Sequence, residues 1–420
     1  MARGALLGLT GFSALRAALL AGAALVATRL LGPHDRGLMV LGASFAAVAA
    51  LLAGMGTGSA LRSSLPASGA RERPTLTAAF AWWMVLSAVA AGALAVLLSA
   101  LSAGVIDSGL ADPFFLVALF ANAAALVALT QLPDLWYAAG RFRLGSGWAA
   151  AVAGANLLGL SAGAAIGDSA AVLLLAQALA MAAAGAVQTA HLHRIGLLAL
   201  RFPSWRRLLE LPRRGMPALG LTLGLVVALR LDRYVLGAVA GPAQVAVYSL
   251  AITLSSVPAL LAVAVGQLAL QEVATGGGRA GVRQAVYRAV CWAAVASVPV
   301  GVGGWLFVVP VFGPEFAPAR PLLAGLLVAG ALIAPFEVLS RALVGGGWIG
   351  SAGLLGGAGC VLAVLLYTTL IPRFGAAGAV VACWLLYAGL SIGAWQVWNR
   401  RIAAETEQST GVTTKLTNAL

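Results

Sequence analysis

Seven ionisable side chains sit inside or at the edge of long runs of Ala, Leu, Val and Gly: Arg16, Asp134, Arg230, Asp232, Arg233, Glu337 and Arg341. Arg16 is near the middle of the run 5–28, roughly 15 Å from either end at a helical rise of about 1.5 Å per residue. A cation at that membrane depth costs roughly 2.5–3.5 kcal/mol on insertion scales, and such residues face a water-filled chamber or a partner. No acidic residue shares its run, so Arg16 either lines a polar chamber or pairs with a buried acid such as Glu337 or Asp232. Asp232 can neutralise only one of its neighbours Arg230 and Arg233; the trio is either a structural pairing or a site with surplus positive charge. Glu337 and Arg341 are spaced i,i+4 and either pair on their own helix or form a gate. Fixed positive charge in a chamber suits an anion, because guanidinium offers planar, multidentate donors to phosphate oxygens and a low dielectric strengthens the contact. A cation exporter would instead need a cavity carboxylate, for which Asp134 and Glu337 are the coupling candidates.

Little else in the chain could do chemistry. His191 and His193 lie beside Arg194 with no carboxylate close in sequence, and His34 lies in a short connection. Cys291, Cys360 and Cys383 fall in apolar runs with no C-x-x-C, so neither a metal, a cofactor nor a disulfide is implied. Gly54-Met55-Gly56-Thr57-Gly58 lacks the Lys-Ser/Thr of a phosphate loop; these glycines permit close helix packing or bending. An enzyme is therefore not expected, although a small intramembrane transferase acting on lipid-linked sugars is the alternative from that class.

The elements that position these residues are membrane spans. Hydrophobic residues make up 61% of the 420 and charged residues 9%, against about 25% charged in soluble domains. About twelve apolar segments read as spanning helices, at 5–28, 37–61, 76–101, 113–136, 147–166, 169–190, 216–239, 243–268, 287–311, 321–344, 347–370 and 376–398. The expected fold is an all-α polytopic membrane protein with two six-helix bundles around a central cavity. Residues 1–190 would form the first bundle, 191–215 a basic linker, 216–400 the second bundle and 401–420 a polar, disordered tail. Arg3 precedes the first run as in a signal peptide, but Arg16 interrupts that run, so it is read as a retained helix.

The net charge of +13 reports loop orientation, not a nucleic-acid partner, since no basic run carries interleaved aromatics. Alternate connections hold most of the arginines, including Arg62, Arg71, Arg73, Arg206, Arg207 and Arg214. The opposite set holds only Arg29, Arg36, Arg320 and Arg373. Positive-inside asymmetry then puts both termini in the cytoplasm. Within the linker, 204–211 mixes Trp, Arg and Leu as a helix lying on an anionic membrane surface would, but a plain connector obeying the positive-inside bias is the preferred reading.

The two halves share ordered signals: Leu7-Gly8-Leu9-Thr10 recurs as Leu219-Gly220-Leu221-Thr222, and Gly32-Pro33 as Gly241-Pro242. Two bundles of like topology around a midplane site are a common plan for alternating access. Ala27-Thr28-Arg29-Leu30-Leu31-Gly32-Pro33-His34-Asp35-Arg36-Gly37 resembles the signature after the first helix of polysaccharide flippases in the multidrug/oligosaccharidyl-lipid/polysaccharide exporter superfamily. Leu231 to Gly237 with Tyr248, Val311 to Phe316, and Ile371 to Ala379 resemble further stretches in family order. The resemblance implies a V-shaped pair of bundles that moves an undecaprenyl-pyrophosphate-linked oligosaccharide between leaflets of the cell's inner membrane. The lipid tail stays in the bilayer, and no cofactor takes part. By position Arg16 resembles the cavity arginine of such flippases, and Arg230 and Arg233 are weaker counterparts. The lipid II subgroup has an Arg-Asp pair where this chain reads Gly22-Ala23-Ala24, and two additional helices. A monomer is expected, working beside a polysaccharide polymerase and glycosyltransferases; the drug-exporting branch is the nearest competitor.

Overall fold

The structure, a computed structural model, describes residues 2–274 and 280–417. It is helical, with no strand among the described residues. In hydrocarbon every backbone amide must be satisfied within its own segment, and these apolar runs meet that demand as helices. The order is α1 (Ala2–Leu30), α2 (Pro33–Gly54), α3 (Thr57–Ala67), α4 (Arg73–Ala103), α5 (Pro113–Ala138), α6 (Phe142–Gly163) and α7 (Ala170–Arg194), then α8 (Trp205–Ala228), α9 (Leu231–Ala274), α10 (Ala280–Phe312), α11 (Ala319–Gly345) and α12 (Ile349–Thr417).

Among the described residues, nine helical stretches are long and apolar enough to cross a membrane. The two longest, Leu231–Leu270 at 40 residues and Gly350–Ala403 at 54, have the length of two crossings of roughly 20 residues each and turn at Gly241 (φ 78°) and Gly375 (φ 56°). Counting both arms of each, with α6 added and α8 joined to the first arm of α9, recovers the twelve expected segments. Helices α1 to α7 pack mainly on one another, as do α9 to α12. The two lobes meet where α2 lies along α9 and α3 lies against α8.

Four sequence expectations are altered. Segment two is not continuous: it breaks at Met55 (φ 47°) and Gly56 (φ 66°). The carbonyls freed by the break find donors, Thr57 Oγ1 to Gly54 O at 2.8 Å and Ser87 Oγ to Ala53 O at 2.9 Å. Segment seven begins earlier, at Trp205, and breaks at Leu229 and Arg230. Residues 204–211 are thus mostly the first turns of α8, where Leu208 and Leu211 are buried in the protein rather than laid on a bilayer. Finally, α12 continues through 401–417 where a disordered tail was expected; that stretch holds Ala403, Ala404, Glu405, Glu407 and Gln408, good helix formers, and no proline.

The lobes touch through backbone at both ends of the shared interface. At one end a Cβ on Gly37 would stand 1.9 Å from Pro242 O; at the other, a Cβ on Gly56 would stand 2.3 Å from Gly215 O. Only glycine satisfies both demands at Gly56, a positive φ and room for a neighbouring main chain. Within the first lobe, His34 near Gly37 is held by Asp107 in the connection after α4, its Nε2 3.0 Å from Asp107 Oδ2.

Two predictions follow from these contacts. Gly56→Ala should lower thermal stability by at least the 1–2 kcal/mol of a left-handed non-glycine residue, with Gly69→Ala, which meets no neighbour, as the neutral control. Burial alone would raise the Asp107 carboxyl, but the His34 hydrogen bond, the Gly109 amide and the His34 charge together hold it below its usual value. The stabilisation it lends is thus complete above the unfolded pKa, about 3.9, and fades as pH falls through the lowered folded value. Asp107→Asn should flatten the pH dependence of unfolding in that acid range alone.

Candidate functional site

A cavity of about 660 Å³ opens between the lobes. Its charged lining consists of Arg16 from α1, Arg36 from α2, Arg230 at the break before α9, Arg233 from the first turn of α9, and Asp134 from α5. Four guanidinium groups thus share the chamber with one carboxylate.

That carboxylate is already engaged. Asp134 forms an ion pair with Arg62 of α3, and the Arg62 guanidinium lies 4.7 Å from the centre of the Tyr137 ring. Gly58 makes room for it: a Cβ there would stand 1.6 Å from Asp134 Oδ2. Arg16 is near enough to feel the Asp134 charge. Its Nε is nonetheless buried without a hydrogen-bond partner among the described residues. The acid whose charge Arg16 shares is Asp134; no contact of Arg16 with Glu337 or Asp232 is seen among the described residues. Arg16 also borders a smaller pocket of about 280 Å³ with Phe12, Tyr137 and Ser146, so it is reached from two sides.

The trio Arg230, Asp232 and Arg233 is arranged by the break before α9. Asp232 is 3% exposed and turns away from the chamber. Its Oδ2 accepts from Tyr248 Oη at 2.8 Å and its Oδ1 from the Arg233 amide at 2.8 Å. Tyr248 and Tyr367 in turn lie 3.6 and 3.5 Å from Cys383 Sγ, a polar cluster inside the second lobe. No ion pair joins Asp232 to Arg230 or Arg233 among the described residues. The Asp232 hydrogen bonds go to a phenol and an amide rather than to a guanidinium, while its charge still acts on Arg230 and Arg233. Both cations are left to the chamber.

Glu337 and Arg341 pair with each other on α11. They lie outside the cavity lining, against α9, where a Cβ on Gly266 would stand 2.6 Å from Glu337 O.

Arg36 is the residue that sequence reasoning missed. It was counted with the loop arginines, yet it is only 6% exposed and lines the chamber, with Nε donating to Thr28 Oγ1 at 2.9 Å. The signal was present: Pro33 occupies the first helical position after Gly32, a start signature that puts Arg36 one turn inside a span. Uncharged donors complete the wall, among them Asn122, Gln131, Asn156 and Gln177. Such amides can bind hydroxyl-rich groups by hydrogen bonds in either direction. Among the described residues no group of three His, Cys, Asp or Glu side chains is placed to hold a metal ion.

A family model described as polysaccharide biosynthesis protein matches residues 17–270, more than half of the chain. The chain belongs to this family. Its fold is that of the superfamily of multidrug and lipid-linked-sugar exporters, and it is a multi-pass membrane protein. It is similar to the lipid II flippase MurJ in an inward closed conformation, with a TM-score of 0.75, 12% identity, and 91% of this chain and 86% of that one covered. An inward-facing multidrug resistance MATE family transporter gives 0.66 at 17% identity, covering 94% and 96%. A superfamily transporter from Pyrococcus furiosus, described as having reversed binding-pocket polarity, gives 0.58 at 16% identity, covering 95% and 96%. No curated protein matches.

The Asp134–Arg62 contact generates a stability prediction. Asp134→Asn should destabilise the protein by about 1 kcal/mol, a modest figure because Arg62 is half exposed and screened. Combining it with Arg62→Gln should cost less than the sum of the single changes in thermal unfolding, since the partners form one unit.

Proposed function

We propose that this protein is a flippase that carries an undecaprenyl-pyrophosphate-linked oligosaccharide, a polysaccharide precursor, from the inner to the outer leaflet by alternating access. The observation that carries this reading is the charge of the chamber: four lining arginines against one carboxylate already paired with Arg62. A diphosphate presents the anionic oxygens that guanidinium forks match, and the amide-lined wall offers partners to sugar hydroxyls. Family membership supports the same class of cargo. The chamber falls within the roughly 300–1,000 Å³ of small-molecule sites, so a larger repeat unit passes only as the lobes part. No step calls for covalent chemistry.

In this reading Arg16, Arg230 and Arg233 hold the substrate, while Asp134, Asp232, Glu337 and Arg341 stand as gate or coupling positions. The lobes are 1–190 and 216–400, joined by the basic linker 191–215. The protein lies in the cytoplasmic membrane with both termini inside, which makes the Gly56 end inner and the Gly37 end outer. It works as a monomer beside glycosyltransferases and a polymerase, with its lipid tail-bearing substrate partly in the bilayer. A proton- or sodium-coupled exporter of cationic drugs is disfavoured, since the cavity carboxylate is occupied by an arginine.

Deleting the gene should remove or truncate a surface polysaccharide, seen on glycan gels. Arg16→Ala should fail to restore it at normal membrane abundance, with Arg16→Lys restoring it in part. An unchanged glycan profile on deletion overturns the assignment.

A further inference from the structure

The three arginines near the Gly37 end come from both sides of the lobe interface. Arg36 belongs to α2; Arg230 and Arg233 belong to the break and first turn that open α9. Arg36 and Arg233 are close enough for their charges to interact, as are Arg230 and Arg233. Like charges this deep in a low dielectric repel strongly, and the one acid in the neighbourhood, Asp232, takes its hydrogen bonds from Tyr248 and an amide. Asp232 offsets one of these three charges, and the group keeps a net positive charge.

Its free donors point to what would balance it. Arg36 uses only Nε, on Thr28, leaving its two terminal nitrogens to the chamber. Ser249 is 4% exposed, lines the same chamber, and its hydroxyl has no hydrogen-bond partner among the described residues. Arg233 Nε is likewise buried and unpartnered, and its Nη1 reaches Ser44 of α2 only at 3.5 Å. Buried donors that are left unmade carry the full desolvation penalty. One oxyanion would satisfy several at once.

The cluster is also placed to act on the seal. The stack of Phe45 on Tyr234, with ring centres 4.9 Å apart, and the Gly37–Pro242 backbone contact join the same two helices, α2 and α9. We propose that Arg36, Arg230, Arg233 and Ser249 form an oxyanion clamp across this seal. A bound diphosphate bridges the lobes and favours closure at the Gly37 end; its departure restores repulsion between Arg36 and the α9 arginines and favours parting. The ligand class is a phosphate or diphosphate oxyanion, and the clamp rests on the reading of the chamber as a passage for a diphosphate-linked glycan. It adds an order of events to that reading: in the proposed orientation the outer seal stays shut while the diphosphate is held, and parts only as the headgroup moves off the clamp within the chamber.

The test uses the full-length protein in phosphatidylcholine nanodiscs, so it does not depend on which glycan the cell makes. Inorganic pyrophosphate binding is measured by calorimetry. Spin labels at Val105 and Val239, both exposed beside the seal, report its width in a Cys291→Ser, Cys360→Ser background. Pyrophosphate should bind and shorten the label distance. Arg36→Gln should weaken binding at least tenfold and abolish the shortening, while Arg36→Lys, which keeps charge but loses the fork, should recover part of both. If Arg36→Gln does not fold, Arg230→Gln serves the same purpose. Wild-type affinity in these glutamine variants, or binding with no change in distance, overturns the clamp. So does equal shortening by phosphatidylglycerol nanodiscs without pyrophosphate, which would assign the effect to bilayer headgroups. Loss of the cellular glycan phenotype with an intact clamp response would instead count against the substrate alone.

Discussion

A guanidinium keeps its proton at any pH a cell meets, so a membrane protein that buries one must pair it, hydrate it or give it an anion. This chain places four around one chamber and gives its nearby acids other hydrogen-bond partners, so a net positive charge remains. Asp134 is held by Arg62, and Asp232 by Tyr248 and a backbone amide. The resulting excess of positive charge is a property of the arrangement rather than of composition. The same residues in a different pairing would make a neutral core, with little reason for a cavity.

The arrangement depends on interrupted helices. A continuous helix through Arg230 would distribute the trio around a cylinder at 3.6 residues per turn. The break at Leu229 and Arg230 instead starts a new helix at Leu231, so that Asp232 lies in a first turn where a carboxylate favours the amide end of the helix. The break at Met55 and Gly56 does comparable work in the other lobe. It brings Thr57 and Gly58 to the wall beside Asp134 and Gln131, and its freed carbonyls are met by Thr57 and Ser87. Irregular backbone at membrane depth survives where protein or a water-lined cavity satisfies it, and both breaks meet that condition.

Much of this was legible in the residues. The all-helical membrane fold follows from hydropathy and spacing, because in lipid the length and polarity of a segment leave few alternatives. The pairing i,i+4 of Glu337 with Arg341 was equally local. What could not be read were contacts between distant segments: Arg62 with Asp134 across 72 positions, and Tyr248 with Asp232 across a kink. Arg36 was lost for another reason. A span boundary was drawn a few residues late, at 37 where α2 starts at Pro33, and that offset moved a buried cation into a loop.

The meeting of the lobes through bare main chain has a thermodynamic consequence. At Gly37 against Pro242, and at Gly56 against Gly215, no bulky side chains interlock across the contact. Between those two points the same interface carries apolar packing, with Phe45 stacked on Tyr234 and Leu41 against Gly237. Glycine at the ends lets main chain approach main chain there, so any parting of the lobes starts from contacts with no side chain to repack and is resisted by the apolar middle.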